Sequence, residues 1–299
     1  MNTIHHKTAL QVGVVMCVFV FGVIMLRQLV ESAFFTKEDR VNILLYSSQA
    51  MYFSFEKGGE VHYVTTFNAD SRTAVPGGYG VYRMGALGKL ILLEKNPELL
   101  KRTFSRITGS MIDFYFYPKT EEIYYGDKET IRMPSFREVF FLSSNANIFD
   151  RIFIYMQFIG KHNTDFEEIR IKKIQTGDSI LLSDMTFARQ YLGYFYHKSL
   201  RKENKTVQLL YKDSYIAAAS MSRVIDGEGI RVVDIDINQN SNSKLKLKES
   251  PCIVKENTQK NYSRTAKEIA QFFHCILIKG KGRVSDIVVE LGKMEGEWE

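Results

Sequence analysis

The sequence predicts an α/β membrane protein with one N-terminal transmembrane helix, a mixed β-sheet domain covered by helices, and a small two-layer domain of repeated βαβ units. Three observations predict it. An uncharged apolar stretch of about 19 residues, Thr8 to Leu26, has the length needed to cross the hydrocarbon core of a bilayer. The region after it alternates short β-rich runs with apolar residues at helical spacing. Near the C-terminus, a strand, helix, strand order occurs twice. With 299 residues and 45% apolar content the chain can bury two cores. The expected boundaries are residues 1–36 for the anchor, 37–203 for the larger domain and 204–299 for the smaller.

The anchor comes first. Lys7 and Arg27 bracket the apolar run. A cleaved signal peptide needs a small residue, any residue, then a small residue before the cut, and Glu31, Ser32 and Ala33 put a carboxylate in the first of those places. A lipoprotein site at Cys17 is disfavoured by Met16 before it and by the apolar sequence that continues beyond it. The run therefore reads as an uncleaved anchor. Its orientation is not set by charge, because His5, His6 and Lys7 on one side are matched by Arg27 and Lys37 on the other.

The larger domain opens with Val41 to Tyr46, a short apolar run suited to a buried central strand. Met51 to Phe55 and Val61 to Phe67 follow as strands, and the glycines of the EKGGE run between them suit a hairpin turn. Ala74 to Gly88 carries five glycines and a proline, so it reads as a loop leading into a helix with Leu87, Leu90 and Leu93. Asn96 and Pro97 start another helix, with Leu100, Phe104 and Ile107 on one face and Gly109 as its stop. Met111 to Tyr117 returns as a strand. Helices are expected around Ser135 to Leu142, Ile148 to Ile159 and Thr186 to Leu200.

In the smaller domain, Thr206 to Tyr211 reads as a strand, Tyr215 to Asp226 as a helix and Ile230 to Ile237 as a strand. A polar stretch, Asn238 to Ser250, precedes the second pass. That pass runs through Cys252 to Glu256, the helix Tyr262 to Cys275, Ile276 to Gly280 and Asp286 to Gly292.

Composition excludes several function classes. A net charge of +6, with Lys and Arg scattered, suits anionic surroundings such as lipid headgroups and gives no recognition patch for nucleic acid. Three cysteines, one of them inside the anchor, assemble no Cys-x-x-Cys pair or zinc spacing, so no structural metal site is expected. Cys252 and Cys275 leave two readings open. They are two buried thiols, the reading taken here, or, outside the cytoplasm, one disulfide if their Cα atoms come within about 6 Å. His62, His162, His197 and His274 sit singly and read as satisfied histidines rather than ligands. The GGYGVYRMG run lacks phosphate-loop spacing and reads as a tight turn. Trp298 reads as part of a frayed tail.

The order of membrane helix, NILLY strand, hairpin, VPGGYGVYRMGAL run, helix and ITGSMIDFYFY strand resembles the LytR-CpsA-Psr (LCP) envelope family over Val41 to Leu200. The runs YSRTAKEIAQFFHC and SDIVVELG likewise resemble the LytR C-terminal domain. The resemblance implies a cytoplasmic-membrane protein with both domains extracytoplasmic. It also implies transfer of a glycopolymer from polyprenyl pyrophosphate to peptidoglycan, assisted by a divalent metal. Such chemistry needs arginines on the pyrophosphate and aspartates on Mg²⁺.

The sequence departs from that pattern where the chemistry lies. Gln49 falls on the position of the first metal-binding aspartate, the family's RSDT stretch has no counterpart, and Ala69 stands where an arginine is expected. Asp70 and Ser71 are retained, and Gly109, Ile112, Asp113 and Tyr115 match the later strand as structural residues. Arg189 and Gln190 resemble a family RQ pair that faces the pyrophosphate. The residues left for a rebuilt site are Asp70, as catalytic residue and metal ligand, with Arg72, Arg83, Arg189 and Gln190 on the pyrophosphate. The expectation is a divergent, non-catalytic relative that binds polyprenyl-linked or wall glycopolymer, or envelope protein partners. The alternative is an active phosphotransferase with a rearranged site, the only case that implies Mg²⁺.

Overall fold

The computed structural model describes residues 2–36, 39–58, 61–126, 130–170, 174–176, 179–182, 187, 190–238, 251–259, 261–280, 282 and 284–299. Helix α1 (Asn2–Val30) contains the apolar run and is followed by one turn, α2 (Ala33–Thr36). The stretch Gly13–Thr36 is long and apolar enough to cross a membrane, and none of its apolar window is buried against the rest of the chain. An apolar helix with no protein around it is what a single-pass anchor requires.

The larger domain is built on a six-stranded mixed sheet. Its strands include β1 (Arg40–Tyr46), β2 (Ala50–Glu56) and β3 (His62–Phe67), which pair antiparallel in sequence. Next along the chain come β4 (Arg72–Val75) and β5 (Gly80–Arg83), helices α3 (Leu87–Leu93) and α4 (Glu98–Thr108), and β6 (Phe114–Tyr117), which lies parallel to β1. Helix α5 (Phe136–Phe141), β7 (Ser143–Ser144), α6 (Ile148–Phe158) and β8 (Phe166–Glu168) complete the sheet, in the order β7-β6-β1-β2-β3-β8. Both faces are covered. Leu44, Tyr46, Tyr52 and Phe67 pack with Leu90, Leu100 and Phe104 of α3 and α4. Ile43, Leu45, Phe53 and Phe55 pack with Val139, Phe153 and Phe158 of α5 and α6. Strict alternation along β1, with an apolar residue on each face, is why a continuous apolar run forms the central strand.

Local sequence explains the helix ends. Gly109 takes φ 62° and ends α4 in the left-handed conformation. Ser135 with Glu138, and Asn147 with Asp150, form reciprocal capping boxes at α5 and α6. The glycine-rich run differs from expectation. It is a hairpin rather than a loop, with β4 and β5 paired antiparallel, and β4 also pairs with β10 (Ser179–Leu181), which in turn pairs with β9 (Ile174–Thr176). The helix expected over Thr186 to Leu200 is interrupted. Residues 187, 190 and 191 are helical, 192–195 are turns and α7 is Lys198–Glu203, while 183–186 and 188–189 lie outside the described residues.

The C-terminal unit comprises β11 (Thr206–Tyr211), α8 (Tyr215–Gly227), β12 (Arg231–Ile237), β13 (Cys252–Glu256), α9 (Arg264–Phe272), β14 (Ile276–Lys279), β15 (Ile287–Leu291) and α10 (Glu295–Trp298). Its sheet order is β12-β11-β15-β13-β14. β11 and β12 are parallel, as are β13 and β14, so each pass is a βαβ unit. β15 enters between them, parallel to β11 and antiparallel to β13, so the two units point in opposite directions.

Two expectations are corrected here. Cys252 and Cys275 form a disulfide, with Cα atoms 4.6 Å apart, because the turn after α9 brings Cys275 back beside the start of β13. Trp298 is a core residue, buried against Phe272 and Phe273. Glu295 holds that tail in place by accepting the backbone N–H groups of Lys212, Asp213 and Ser214, each at 2.7 Å.

Candidate functional site

Asp70 sits in the turn between β3 and β4, where its N–H donates to Asn68 Oδ1 at 2.7 Å. Its carboxylate accepts from Arg83 Nη1 at 3.4 Å and from the Gly126 N–H at 3.2 Å. The Arg83 guanidinium lies 4.2 Å above the ring of Tyr125. Arg72 and Arg83 are register partners across the β4/β5 hairpin, so both side chains leave on one face, the outer one. With Asp70 45% and Arg83 32% exposed, this is a surface ion pair, of a kind that contributes about 0–1 kcal/mol. The structure thus brings Asp70 and Arg83 together and leaves Arg72 exposed beside them. Gln190 is exposed and donates its amide to Tyr191 Oη at 2.9 Å, while Tyr191 donates to Arg170 O at 3.0 Å. Arg189 lies outside the described residues.

Gln49 and Ala69, the positions of two of the departures from the family pattern, line one crevice at the end of β1 and the start of β2 together with Tyr46, Met84, Gly85 and Tyr124. Asp70, Arg72 and Arg83 are not among its walls. The crevice is closed. Tyr46 donates its hydroxyl proton to Met84 O at 2.9 Å and accepts the Gly88 N–H at 2.8 Å. The Gly85 N–H donates to Ala69 O at 2.8 Å, and the Tyr124 N–H donates to Gly85 O at 2.9 Å. Tyr124 O lies so near Gly85 that a Cβ built there would be 2.0 Å from it, which is why this position is glycine. The space left inside does not admit a water molecule. Burial raises the Tyr46 hydroxyl above the usual phenol range and pushes Tyr124 up to about 12, so both are neutral hydrogen-bonding walls.

Among the described residues, neither a carboxylate nor a guanidinium lines this crevice. Gln49 buries an amide nitrogen that has no hydrogen-bond partner among the described residues. Among the described residues, no group of three or more His, Cys, Asp or Glu is placed to hold a metal ion.

Neither a family model nor a curated protein matches the sequence. Among solved structures, the chain is similar to TagT of B. subtilis, at 11% identity over 52% of this chain and 89% of that one, with a TM-score of 0.35. It is similar also to a LytR-CPS2A-psr family protein, YwtF (TagT), with bound octaprenyl pyrophosphate lipid, at 10% identity over 52% and 88% and a TM-score of 0.35. TagV of B. subtilis follows, at 8% identity over 51% and 94% and a TM-score of 0.34.

Sequence reading missed the junction between the two folded units. His197 and Glu228 meet there, both buried, and the Met111 N–H donates to the same carboxylate. Beside them, Lys101 of α4 donates to Phe272 O at 2.9 Å and lies 4.3 Å from the center of its ring. Glu98 accepts from Tyr115 at 2.9 Å and faces His274 Nε2 at 3.6 Å. Arg102 pairs with Glu297, and Arg106 reaches the carbonyls of Trp298 and Glu299. These basic residues recur along α4 at helical spacing, but their partners lie far along the chain, so sequence spacing alone gave no sign of them.

Proposed function

We propose that the protein is a membrane-anchored cell-envelope protein of LytR-CpsA-Psr type, lacking catalysis, that binds polyprenyl-linked or wall glycopolymer or envelope protein partners. On this reading residues 1–36 are the anchor, 37–203 the LCP-like domain and 204–299 the LytR C-terminal-like domain, both outside the cytoplasm. The observation that carries it is the crevice where Gln49 and Ala69 meet. Two of the side chains that metal and pyrophosphate chemistry uses in the family pattern are replaced in one place, and Tyr46 and Tyr124 fill what is left. Loss of one such electrostatic contact commonly costs about 3–4 kcal/mol of transition-state stabilization. Among the described residues Asp70 does not restore it, since one partly exposed arginine partner is not a clamp. The disulfide supports the extracytoplasmic placement, because such bonds persist in oxidizing compartments.

The test is binding of octaprenyl pyrophosphate to the full-length protein in lipid nanodiscs, with and without Mg²⁺, beside Asp70→Ala. Binding that survives Asp70→Ala and ignores Mg²⁺, with no transfer to peptidoglycan, is expected of a binding protein. Mg²⁺-dependent binding that is lost in Asp70→Ala returns the active phosphotransferase to first place. No binding in either protein leaves the partner-binding role.

A further inference from the structure

We propose that α5 and α6, with the turn α2, form a second membrane contact that lays the larger domain onto the bilayer in which α1 is anchored. This goes beyond the glycopolymer reading and rests only on α1 spanning a membrane. Helix α6 is apolar on two faces. One face, Phe153, Ile154 and Phe158, is buried against the sheet. The other carries Ile148, Ile152, Met156 and, at its end, Ile159, spaced i, i+4, i+8 and i+11, and these are 43%, 38%, 55% and 62% exposed. That spacing places the four on one stripe along the helix. A surface helix needs one apolar face, and the second needs a partner.

The stripe is joined to the anchor rather than isolated. At the N-terminus of α6, Asn147 Nδ2 donates to Gln28 O in the last turns of α1 at 3.3 Å, and Asp150 accepts the Ala33 N–H at 2.7 Å. Phe34 packs edge-on to Phe153 at 5.2 Å, and Phe35 beside it points out, exposed. On the other flank, Phe136 stacks on Phe140 at 4.4 Å and touches Tyr155 of α6 at 5.5 Å. Phe136 and Phe141 are both exposed. Exposed apolar side chains therefore run from the membrane-spanning segment through α2 to α6 and α5. Lys119 lines a surface hollow with Phe140, Phe141 and Ile148, Arg137 follows Phe136 in α5, and Lys161 comes two residues after Ile159. An apolar surface with basic residues at its margin, continuous with an anchor, has the composition of a helix pair lying in the headgroup region.

The test uses the full-length chain in phosphatidylethanolamine and phosphatidylglycerol vesicles, with a spin label at single cysteines. Cys17 is the free cysteine among the described residues, and it sits in α1, so the label on the native chain reports the anchor. In a Cys17→Ser background the label is moved to Met156→Cys, Ile152→Cys or, as a reference on α8, Tyr215→Cys. Collision with oxygen, which concentrates in lipid, is compared with collision with a water-soluble nickel chelate. The expected result is an oxygen-to-nickel ratio at Met156 and Ile152 several-fold above that at Tyr215 and approaching that at Cys17. A ratio equal to that at Tyr215 overturns the proposal. So does shielding from both reagents, which would mean that protein covers the stripe. A low ratio at Cys17 itself would instead remove the anchor on which the proposal rests.

Discussion

His197 Nδ1 lies 2.5 Å from Glu228 Oε2 in the buried junction between the two folded units, and His197 Nε2 donates to Arg40 O at 2.9 Å. The carbonyl of Arg40 can only accept, so the Nε2 proton is fixed, and Glu228 must satisfy both Nδ1 and the Met111 N–H. Burial raises the Glu228 carboxyl above its ordinary value. A glutamine side chain in its place fits the same pattern without charge, its NH₂ donating to Nδ1 and its oxygen accepting from Met111. Glu228→Gln is therefore expected to stay within about 1 kcal/mol of the native stability, whereas Glu228→Ala leaves two buried groups unpaired and is expected to cost about 3 kcal/mol. Urea unfolding of the full-length protein in detergent separates the two, and equal losses in both variants would contradict this account of the junction.

The Cys252–Cys275 bridge closes a loop with a sequence separation of 23, and a crosslink of that span restricts the unfolded chain by about 3 kcal/mol. Cys275→Ser is expected to lower stability by that order under oxidizing conditions and to make the protein indifferent to reductant. If the C-terminal unit lies outside the cytoplasm, thiols alkylated in intact cells before lysis will not include Cys252 or Cys275. Modification of Cys252 and Cys275 in that experiment would place the unit in a reducing compartment.

Much of the fold was legible because its signals are local. The apolar run of β1, Gly109 at the end of α4 and the spacing of Leu100, Phe104 and Ile107 each depend on neighbors within a few residues. The misreadings concern residues whose partners lie far along the chain. The glycine run is a hairpin and β4 gains β10 as a neighbor, a strand from more than a hundred residues later. Trp298 is buried because the C-terminal turn folds back beneath Phe272 and Phe273, which no local pattern encodes. At the candidate site, substitution at Gln49 and Ala69 was visible in sequence. The closure by Tyr124 was not, since the segment around it has no periodic pattern.

That closure leads to a third prediction. Placing the residues of the family pattern by Gln49→Asp with Ala69→Arg is expected to give no Mg²⁺-dependent binding of octaprenyl pyrophosphate. Ala69 is buried, its Cβ lies 3.1 Å from where a Gly85 Cβ would stand, and the crevice has no room for a guanidinium. Overpacking of this kind is expected to cost about 1–3 kcal/mol. Calorimetric titration beside a thermal melt checks both parts, and tight metal-dependent binding by the double variant would show that the crevice opens.

The junction is also expected to weaken in acid. Burial alone would raise the Glu98 carboxyl, but the His274 ring, the Lys101 ammonium and the Tyr115 hydroxyl outweigh it and hold the group near 2, against an ordinary 4.5. A carboxylate depressed in the folded state contributes stability that is complete above its unfolded value and is lost as pH falls through the folded one. The window for Glu98 therefore runs from about pH 4.5 down to about pH 2. Glu98→Gln removes this contribution at every pH, so its melting temperature is expected to fall less than that of the native protein across the same window. Some acid loss will remain, because Glu138, paired with Arg132 at the start of α5, is also held near 2. Thermal melts of both proteins between about pH 5 and about pH 2.5, spanning that titration, decide it. Parallel curves would mean that Glu98 is not held by its neighbors across the junction.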